Sequence, residues 1–112
     1  MLPSALRMRS ARDFQATVRR GRRTSGQCFV VHMHVQQGAL DQRVGIVTSK
    51  SVGNSVERHL VTRRIRAAIQ QVSAELPVGI RVVVRALPGA ASTPDLCAQV
   101  QAGLLQALGG QQ

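Results

Sequence analysis

The stretch from residue 55 to residue 74 constrains the fold most, because its apolar residues recur at helical spacing on one side only. At about 100° per residue they form a narrow stripe, which consists of Val61, Ile65, Ala68 and Val72, flanked by Ile69. Asn54 or Ser55 can cap the start of this helix, and Pro77 and Gly79 end it. Such a helix has to bury its stripe against another layer of the protein.

The remaining surface of the same helix is basic. An arc of roughly 140° beside the stripe carries polar and charged side chains, namely Arg58, His59, Thr62, Arg63 and Arg66, with Arg64 on the other flank. Guanidinium groups this close repel one another, so the cluster destabilises the free protein unless a polyanion neutralises it. We therefore interpret the helix as a docking surface.

The overall charge indicates which polyanion is involved. The chain of 112 residues has a net charge of +10 and a pI near 11.9. A small basic domain of this kind pairs with nucleic acid more often than with an anionic membrane surface. All of its basic residues except Lys50 are arginines, whose planar fork fits phosphate oxygens and stacks on bases.

The charge is concentrated in the first two-thirds of the chain. Seven arginines lie within the first 23 residues, opposed only by Asp13, whereas Arg81 and Arg85 are balanced by Glu75 and Asp95. Beyond the helix, we expect an additional basic surface from Arg12, Arg19, Arg20, Arg22 and Arg23. The last third should be mainly scaffold.

The remaining patterns predict a single α+β domain over residues 1–112. A helix over 11–20, with Phe14, Val18 and Ala11 on its apolar side, has Ser10 as N-cap and Gly21 as stop. Two antiparallel strands follow at 28–36 and 43–49, joined by a hairpin-like loop; a third strand spans 80–86, and a last helix runs from Pro94 to about residue 108. The order α-β-β-α-β-α predicts a two-layer α/β sandwich. Residues 1–9 are predicted to form a flexible basic arm, and 109–112 a tail.

Other classes of function have little support in the sequence. There are no paired carboxylates, no local signature of a nucleophile around either cysteine, and no CxxC or HExxH pattern. His32 and His34 share a strand face, for which a sheet-surface or RNA-facing role is favoured over zinc. No secretory segment and no apolar run near the 18 residues of a membrane span is present. We expect a cytoplasmic protein that binds no metal by itself and needs no protein partner.

The turn before the basic helix is a candidate phosphate seat. Val52, Gly53, Asn54 and Ser55 place backbone amides at a helix N-terminus. Helix starts of this composition are common, so the turn alone is a weak signal. Lys50 just before it and the arginines after it strengthen the interpretation.

The string VGNSVERHLVTRRIR at residues 52–66 closely resembles the signature of the bacterial ribonuclease P protein subunit. That signature has the form V/I-G-N-A-V-x-R-N-x-x-K-R-x-x-R. Further motifs fall in the same order as in that family: Asp13-Phe14 before an Arg-Gly-Arg-Arg run, Arg43-Val44-Gly45 opening a strand, Ser49-Lys50 before the turn, and the third strand with its exit, from Val82 to Pro88. The resemblance covers nearly the whole chain.

The resemblance implies an α/β sandwich with an unusual left-handed β-α-β crossover, an exception to the usual handedness. It also implies a partner RNA that performs the cleavage itself. The substrate would be precursor tRNA, which is hydrolysed to release its 5′ leader, with Mg²⁺ held mainly by RNA. The chain would then supply no catalytic side chain.

The resemblance also assigns residues to two RNAs. The catalytic RNA would be bound by the helix and its turn, through Gly53, Asn54, Arg58, His59, Thr62, Arg63, Arg64 and Arg66. The single-stranded leader would lie between the first helix and the sheet, against Phe14, Val18, Ser49 and Lys50. On this interpretation Lys50 faces the leader, while the arginine side of the helix faces the catalytic RNA.

The sequence departs from the family pattern at three of these positions. His59 replaces the usual Asn, Thr62 the usual Lys, and Val18 a second aromatic residue found in many members. The alternative hypotheses are a general RNA-binding domain, such as a ribosomal or translation-factor-like module of the same topology, and a stand-alone nuclease. Neither alternative requires the ordered motifs around Phe14 and Gly53.

Overall fold

The computed structural model describes residues 7–8 and 10–109, which form three α-helices and four β-strands joined by loops and short 3-10 helices. In chain order they are α1 (Ala11–Arg20), β1 (Arg22–Ser25), β2 (Phe29–Val35), β3 (Arg43–Val47), α2 (Ser55–Val72), β4 (Ile80–Ala86) and α3 (Leu96–Gly109). The predicted α+β class and the succession α-β-β-α-β-α are confirmed, with β1 as an additional strand. The final helix begins at Leu96, because Pro94 and Asp95 form a turn ahead of it.

The four strands form one sheet in the order β1-β2-β4-β3. β2 is antiparallel to β1 and β4, whereas β3 is parallel to β4 and connected to it through α2. The predicted hairpin between the first two long strands is therefore wrong: β2 and β3 run in opposite directions, but β4 lies between them. β2 and β4 are mostly buried and take the centre. The handedness of the β3-α2-β4 crossover stays a prediction.

Strand β1 was not predicted, because its sequence Arg-Arg-Thr-Ser lacks apolar alternation. Only Thr24 is half-buried; the other three side chains are exposed. An edge strand needs no second apolar face, and charged side chains on it oppose pairing with other chains. Arg22 and Arg23, predicted only as part of an additional basic surface, thus belong to a strand in register with β2.

The core lies between one face of the sheet and the pair α2 and α3. As predicted, α2 buries Val61, Ile65 and Ala68 completely, together with Ile69. These side chains pack with Phe29, Val31, Met33, Val82 and Val84 of the central strands and with Leu96, Val100 and Leu104 of α3. We call this side of the sheet the inner face.

Helix α1 lies on the opposite, outer face. Ser10 Oγ accepts a hydrogen bond from the Asp13 amide at 3.4 Å and Gly21 caps the other end, as predicted. The predicted apolar side is wrong at Val18, which is 46% exposed, whereas Thr17 is 1% exposed. The helix is rotated so that Thr17 and Phe14, three residues apart, face the sheet.

The two described residues of the predicted arm, Arg7 and Met8, lie against the sheet. Arg7 forms a parallel bridge with Val44, and the Met8 amide donates to the Val44 carbonyl at 2.7 Å. Met8 is 6% exposed, so this segment extends the sheet beyond β3. Residues 1–6 and 9 of the predicted arm, and 110–112 of the predicted tail, lie outside the described residues.

Asp41 fixes the start of the parallel strand pair. The register places Arg43 of β3 opposite Arg81 of β4, and Asp41 forms ion pairs with both at 2.9 Å. The hydrogen bond from Arg81, together with the charges of Arg81 and Arg43, holds the pKa of Asp41 below its usual value. One loop carboxylate therefore pairs with both arginines and reduces their repulsion across the sheet.

Replacing Leu104 with Ala should destabilise the protein strongly. The side chain is completely buried between α3 and the inner face of the sheet. Its truncation should lower the free energy of unfolding by about 2–5 kcal/mol, because the surrounding core cannot fully close the cavity. Denaturant unfolding followed by circular dichroism measures the change.

Leu105→Ala is the matched control, since the neighbouring leucine is 44% exposed. It makes the same chemical change on the same helix, and its cost should be within about 1 kcal/mol. Equal losses in the two variants would contradict the orientation of α3 described above.

Candidate nucleic-acid interface

A cleft of about 500 Å³ lies where α1, β3 and α2 meet. Its lining comes from four parts of the chain: Arg7 and Met8 of the arm, Phe14 of α1, Val44, Gly45, Ile46 and Thr48 in and after β3, and Ser55, Arg58, His59, Thr62, Arg63 and Arg66 of α2. β3 is parallel to β4 and lies at the sheet edge, and this position brings α1 and α2 to the same strand. The cleft thus joins an apolar floor to a basic wall.

The floor is organised by the contact of Phe14 with Gly45. A Cβ atom at Gly45 would lie 2.4 Å from the Phe14 Cζ atom, closer than atoms can approach. The glycine therefore allows the ring to lie directly against the strand backbone. Phe14 remains half-buried, so part of its ring is available to a ligand.

The wall is positively charged and has no internal counter-charge. Four arginines and His59 line the cleft, but no Asp or Glu does. Within the described residues, the Nε atoms of Arg7 and Arg58 are buried without a hydrogen-bond partner. Low solvent access strengthens the field of such charges, which favours an anionic ligand.

The side-chain hydroxyl group of Thr62 connects α2 to the end of β3. Its hydroxyl group lies 3.1 Å from the Thr48 hydroxyl, just beyond β3. This hydrogen bond connects the middle of α2 to the end of the edge strand. A residue that departs from the family signature therefore fixes one wall of the cleft against its floor.

The turn before α2 forms a capping box. Asn54 Oδ1 accepts from the Glu57 amide at 2.9 Å, and the Asn54 amide donates to Glu57 Oε1 at 3.0 Å. Gly53 has φ 154°, and a Cβ atom there would lie 2.6 Å from Glu57 Oε1. Gly53 and Asn54 thus build the cap, which occupies the Asn54 amide, one of the amides predicted to hold a phosphate.

Several other predicted site residues lie outside the lining of the cleft. Ser49 and Lys50 are exposed in the segment between β3 and α2, and Val18 is exposed on α1. Arg64 points to the loop before α3, where its Nη1 donates to the Thr93 carbonyl at 3.4 Å. The additional basic residues are all exposed on α1 and β1: Arg12, Arg19, Arg20, Arg22 and Arg23.

The sequence interpretation missed several residues of the cleft, among them Arg7, Met8 and Gly45. Arg7 and Met8 lack any periodic signal, and their position depends on a hydrogen bond to Val44 that no local pattern encodes. Gly45 did carry a signal, because an isolated glycine inside a strand often marks close approach of another group. That group is the Phe14 ring.

His32 is a buried imidazole on the central strand β2. It is 9% exposed on the outer face, and its Nδ1 atom has no hydrogen-bond partner. Burial, with the nearby charges of Arg23 and Arg85, lowers the pKa of His32 below its usual value. The imidazole is therefore neutral at pH 7.

The described residues contain no group of three or more His, Cys, Asp or Glu side chains that could hold a metal ion. None of the helices within them combines the length and apolarity needed to cross a bilayer.

A family model described as ribonuclease P matches residues 2–108 of the sequence. The chain belongs to the ribonuclease P protein family. This membership confirms the resemblance of the signature around α2, and the match extends over α1, the sheet and α3. The matched range thus includes every residue that lines the cleft.

Relatives and solved structures agree with this assignment. The chain is 46% identical over 93 residues to the ribonuclease P protein component of a Mycobacterium species, covering 82% of this chain and 79% of the relative. It is 45% identical over 114 residues to that of Rhodococcus opacus, with 95% and 91% covered. The Staphylococcus aureus RNase P protein structure superimposes with a TM-score of 0.78 at 26% identity, covering 97% of each chain.

Replacing Gly45 with Ala should displace the Phe14 ring. The added methyl group overlaps the ring, so the variant should lose about 1–3 kcal/mol of stability, the usual cost of overpacking. In a Phe14→Ala background the space is open, and Gly45→Ala should be neutral or slightly stabilising, since alanine has the higher strand propensity. A double-mutant cycle in denaturant unfolding measures the coupling.

Gly38→Ala serves as a control for general effects of glycine replacement, since nothing lies within 4 Å of its Cβ position. Its cost comes from the positive φ of 83° alone, and it should not depend on Phe14. Equal costs of Gly45→Ala in both backgrounds would show that the ring does not lie on Gly45.

Proposed function

We propose that this chain is the RNA-binding protein component of ribonuclease P, which assists a catalytic RNA in removing the 5′ leader of precursor tRNA. The observation that carries the proposal is the composition of the cleft. It combines one half-buried aromatic ring with four arginines and a histidine, without any carboxylate. This combination of a ring and cations is typical of grooves that bind single-stranded nucleic acid.

The electrostatics of α2 support a phosphate-binding role. Arg58, Arg63 and Arg66 converge on the cleft within about two helical turns. Their mutual repulsion is relieved when phosphate oxygens accept hydrogen bonds from them, and counterions of the RNA are released at the same time. Binding should therefore weaken steeply as the salt concentration rises.

The shared cleft changes the predicted assignment of protein residues to the two RNAs. Phe14, assigned to the leader, and the arginines, assigned to the catalytic RNA, line the same cleft. We infer that the leader and the catalytic RNA meet there, with the bases of the leader on the Phe14 side. Ser49, Lys50 and Val18 would contact the leader outside the cleft, and Arg64 would add charge beside it.

We assign the chemical step of the cleavage to the catalytic RNA. We propose that the catalytic Mg²⁺ ions are held mainly by RNA phosphates, because oxygen ligands of that kind suit Mg²⁺ and the cleft supplies no carboxylate. The protein then contributes affinity and position, and it acts in the cytoplasm. No observation favours the alternative of a ribosomal or translation-factor-like domain.

The triple variant Arg58→Ala, Arg63→Ala, Arg66→Ala should fold but fail to support the holoenzyme. Loss of three phosphate contacts should make the plot of log binding constant against log salt concentration less steep, by roughly 2–3 units of slope. The test reconstitutes cleavage of precursor tRNA from purified protein, catalytic RNA and Mg²⁺ at a series of salt concentrations. Wild-type protein should stimulate correct 5′ cleavage only when the catalytic RNA is present.

The matched control is the triple variant Arg12→Ala, Arg19→Ala, Arg20→Ala, which removes the same charge from exposed positions of α1. It should have a smaller effect, because only long-range attraction is lost. Equal effects of the two triples would contradict a specific role of the cleft. Cleavage by the protein without catalytic RNA would overturn the proposed function.

A further inference from the structure

Strand β1 carries a short basic sequence that ends in a hydroxyl group. Its residues Arg22, Arg23, Thr24 and Ser25 follow the pattern Arg-Arg-x-Ser. Basophilic protein kinases select this pattern, because carboxylates in their substrate grooves pair with arginines two and three residues before the acceptor hydroxyl. Ser25 lies outside the lining of the cleft, so the RNA interface gives its hydroxyl group no role.

β1 is open to an enzyme that binds extended segments. In the described part of the chain it lies at one edge of the sheet and pairs with β2 alone. An enzyme can therefore bind its outer backbone edge as an added strand. β1 has four residues and no fully buried side chain, so its local opening costs less free energy than opening of the core strands. A kinase can bind this segment while the core stays folded.

The register selects Ser25 and not Thr24 as the acceptor. Thr24 is opposite Val31, whose side chain belongs to the core, and it is half-buried. Ser25 is opposite Val30 and is exposed. Because side chains alternate along a strand, Ser25 shares the outer face of the sheet with Arg23.

Two arginines lie within reach of a phosphate group on Ser25. Arg23 is two residues away on the same strand face, at about 7 Å. Val30 is paired with Ser25 on one side and with Arg85 on the other, so Arg85 is two strand spacings away, about 10 Å. Both arginines are exposed, and both ion pairs found in the described residues belong to Asp41. The long side chains of arginine and phosphoserine can close these distances.

We propose that Ser25 is a phosphorylation site for a basophilic Ser/Thr protein kinase, and that the phosphate pairs with Arg23 and Arg85 and weakens RNA binding. In the transfer, Ser25 Oγ forms a bond to the γ-phosphorus of ATP, and the bond from that phosphorus to the β,γ-bridging oxygen breaks. ADP leaves, and the hydroxyl proton passes to a carboxylate of the kinase.

The effect on RNA rests on the proposed function, because it takes RNA as the partner. A phosphoserine carries a charge of about −1.5 to −2 near pH 7, so the net charge of +10 falls to about +8. The phosphate neutralises two arginines and repels RNA phosphates within a Debye length of about 8–10 Å. The core is untouched, so the modified chain should fold normally while its affinity for RNA falls.

The first experiment treats the full chain with a purified kinase of this specificity, ATP and Mg²⁺, and locates the phosphate by mass spectrometry. We expect one phosphate at Ser25, none in Ser25→Ala and unchanged modification in Thr24→Val. The double variant Arg22→Gln, Arg23→Gln should be modified at least about tenfold more slowly, since it lacks the charged contacts with the kinase. The chain isolated from its own cells, in growth or in starvation, should carry the same phosphate.

The second experiment tests the contacts of the phosphate with the two arginines. Phosphorus NMR follows the second ionisation of the phosphoserine, whose usual pKa is about 6. Neighbouring guanidinium groups favour the dianion, so the pKa should lie below that value. It should rise towards the usual value in Arg85→Gln, which leaves the kinase pattern intact. An unperturbed pKa in the wild-type chain would show that the phosphate does not pair with the arginines.

The third experiment measures binding of the catalytic RNA at a series of salt concentrations. Phosphorylation should lower the affinity and make the plot of log binding constant against log salt concentration less steep, by roughly 2 units of slope, since two arginines are neutralised. Ser25→Ala, treated with kinase and ATP in the same way, should bind like the unmodified chain.

The outcomes separate this proposal from the proposed function. If the kinase modifies the folded chain elsewhere than at Ser25, or if Ser25 is unmodified in the cells under both conditions, the phosphorylation site is wrong and the proposed function is unaffected. Equal RNA binding by the modified and unmodified chains would overturn the regulatory effect. If the unmodified chain neither binds the catalytic RNA nor stimulates cleavage, the proposed function is wrong, and the effect on RNA is wrong with it.

Discussion

The parallel pairing of β3 with β4 is the contact on which the binding surface depends. It places β3 at the sheet edge, where α2 leaves the inner side and α1 reaches across the outer side. The pairing would bring Arg43 and Arg81 together without compensation, and Asp41 supplies the missing charge to both. Because parallel strands need a long crossover, the basic helix is the connection that makes this pairing possible.

Two contacts then set the width of the cleft. Gly45 lets the Phe14 ring lie on the strand, and the Thr62–Thr48 hydrogen bond fixes the position of α2. The arginines project from a helix whose opposite side is completely buried, so their positions are set by the core and not by contacts among themselves. These arginines repel one another in the free protein, and RNA binding relieves that repulsion.

The sequence predicts the elements better than their arrangement. The α2 stripe around Ile65, the Asn54 cap and the class of fold follow from local periodicity and capping chemistry, which act within a few residues. The Met8 contact and the insertion of β4 between β2 and β3 depend on pairing between distant segments. Such pairing leaves no periodic signal in any one of the partners.

The same distinction applies to the site. The basic residues of α2 were identified because their spacing repeats along one helix, and the family signature assigned their partner. That they share a cleft with Phe14 could not be predicted, since it depends on the rotation of α1, which buries Thr17 and exposes Val18. His32 was recognised as lying on a sheet face, but its neighbours Arg23 and Arg85 come from strands whose register was unknown.

The central claim is that the Phe14 side of the cleft holds the 5′ leader in the assembled holoenzyme. The most direct measurement compares the affinity of holoenzymes with wild-type and Phe14→Ala protein for precursor tRNA and for mature tRNA, which lacks the leader. A base stacked on an aromatic ring contributes about 1–3 kcal/mol. The variant should lose that much affinity for precursor tRNA and none for mature tRNA. Equal changes for both RNAs, or no change for either, would contradict the account.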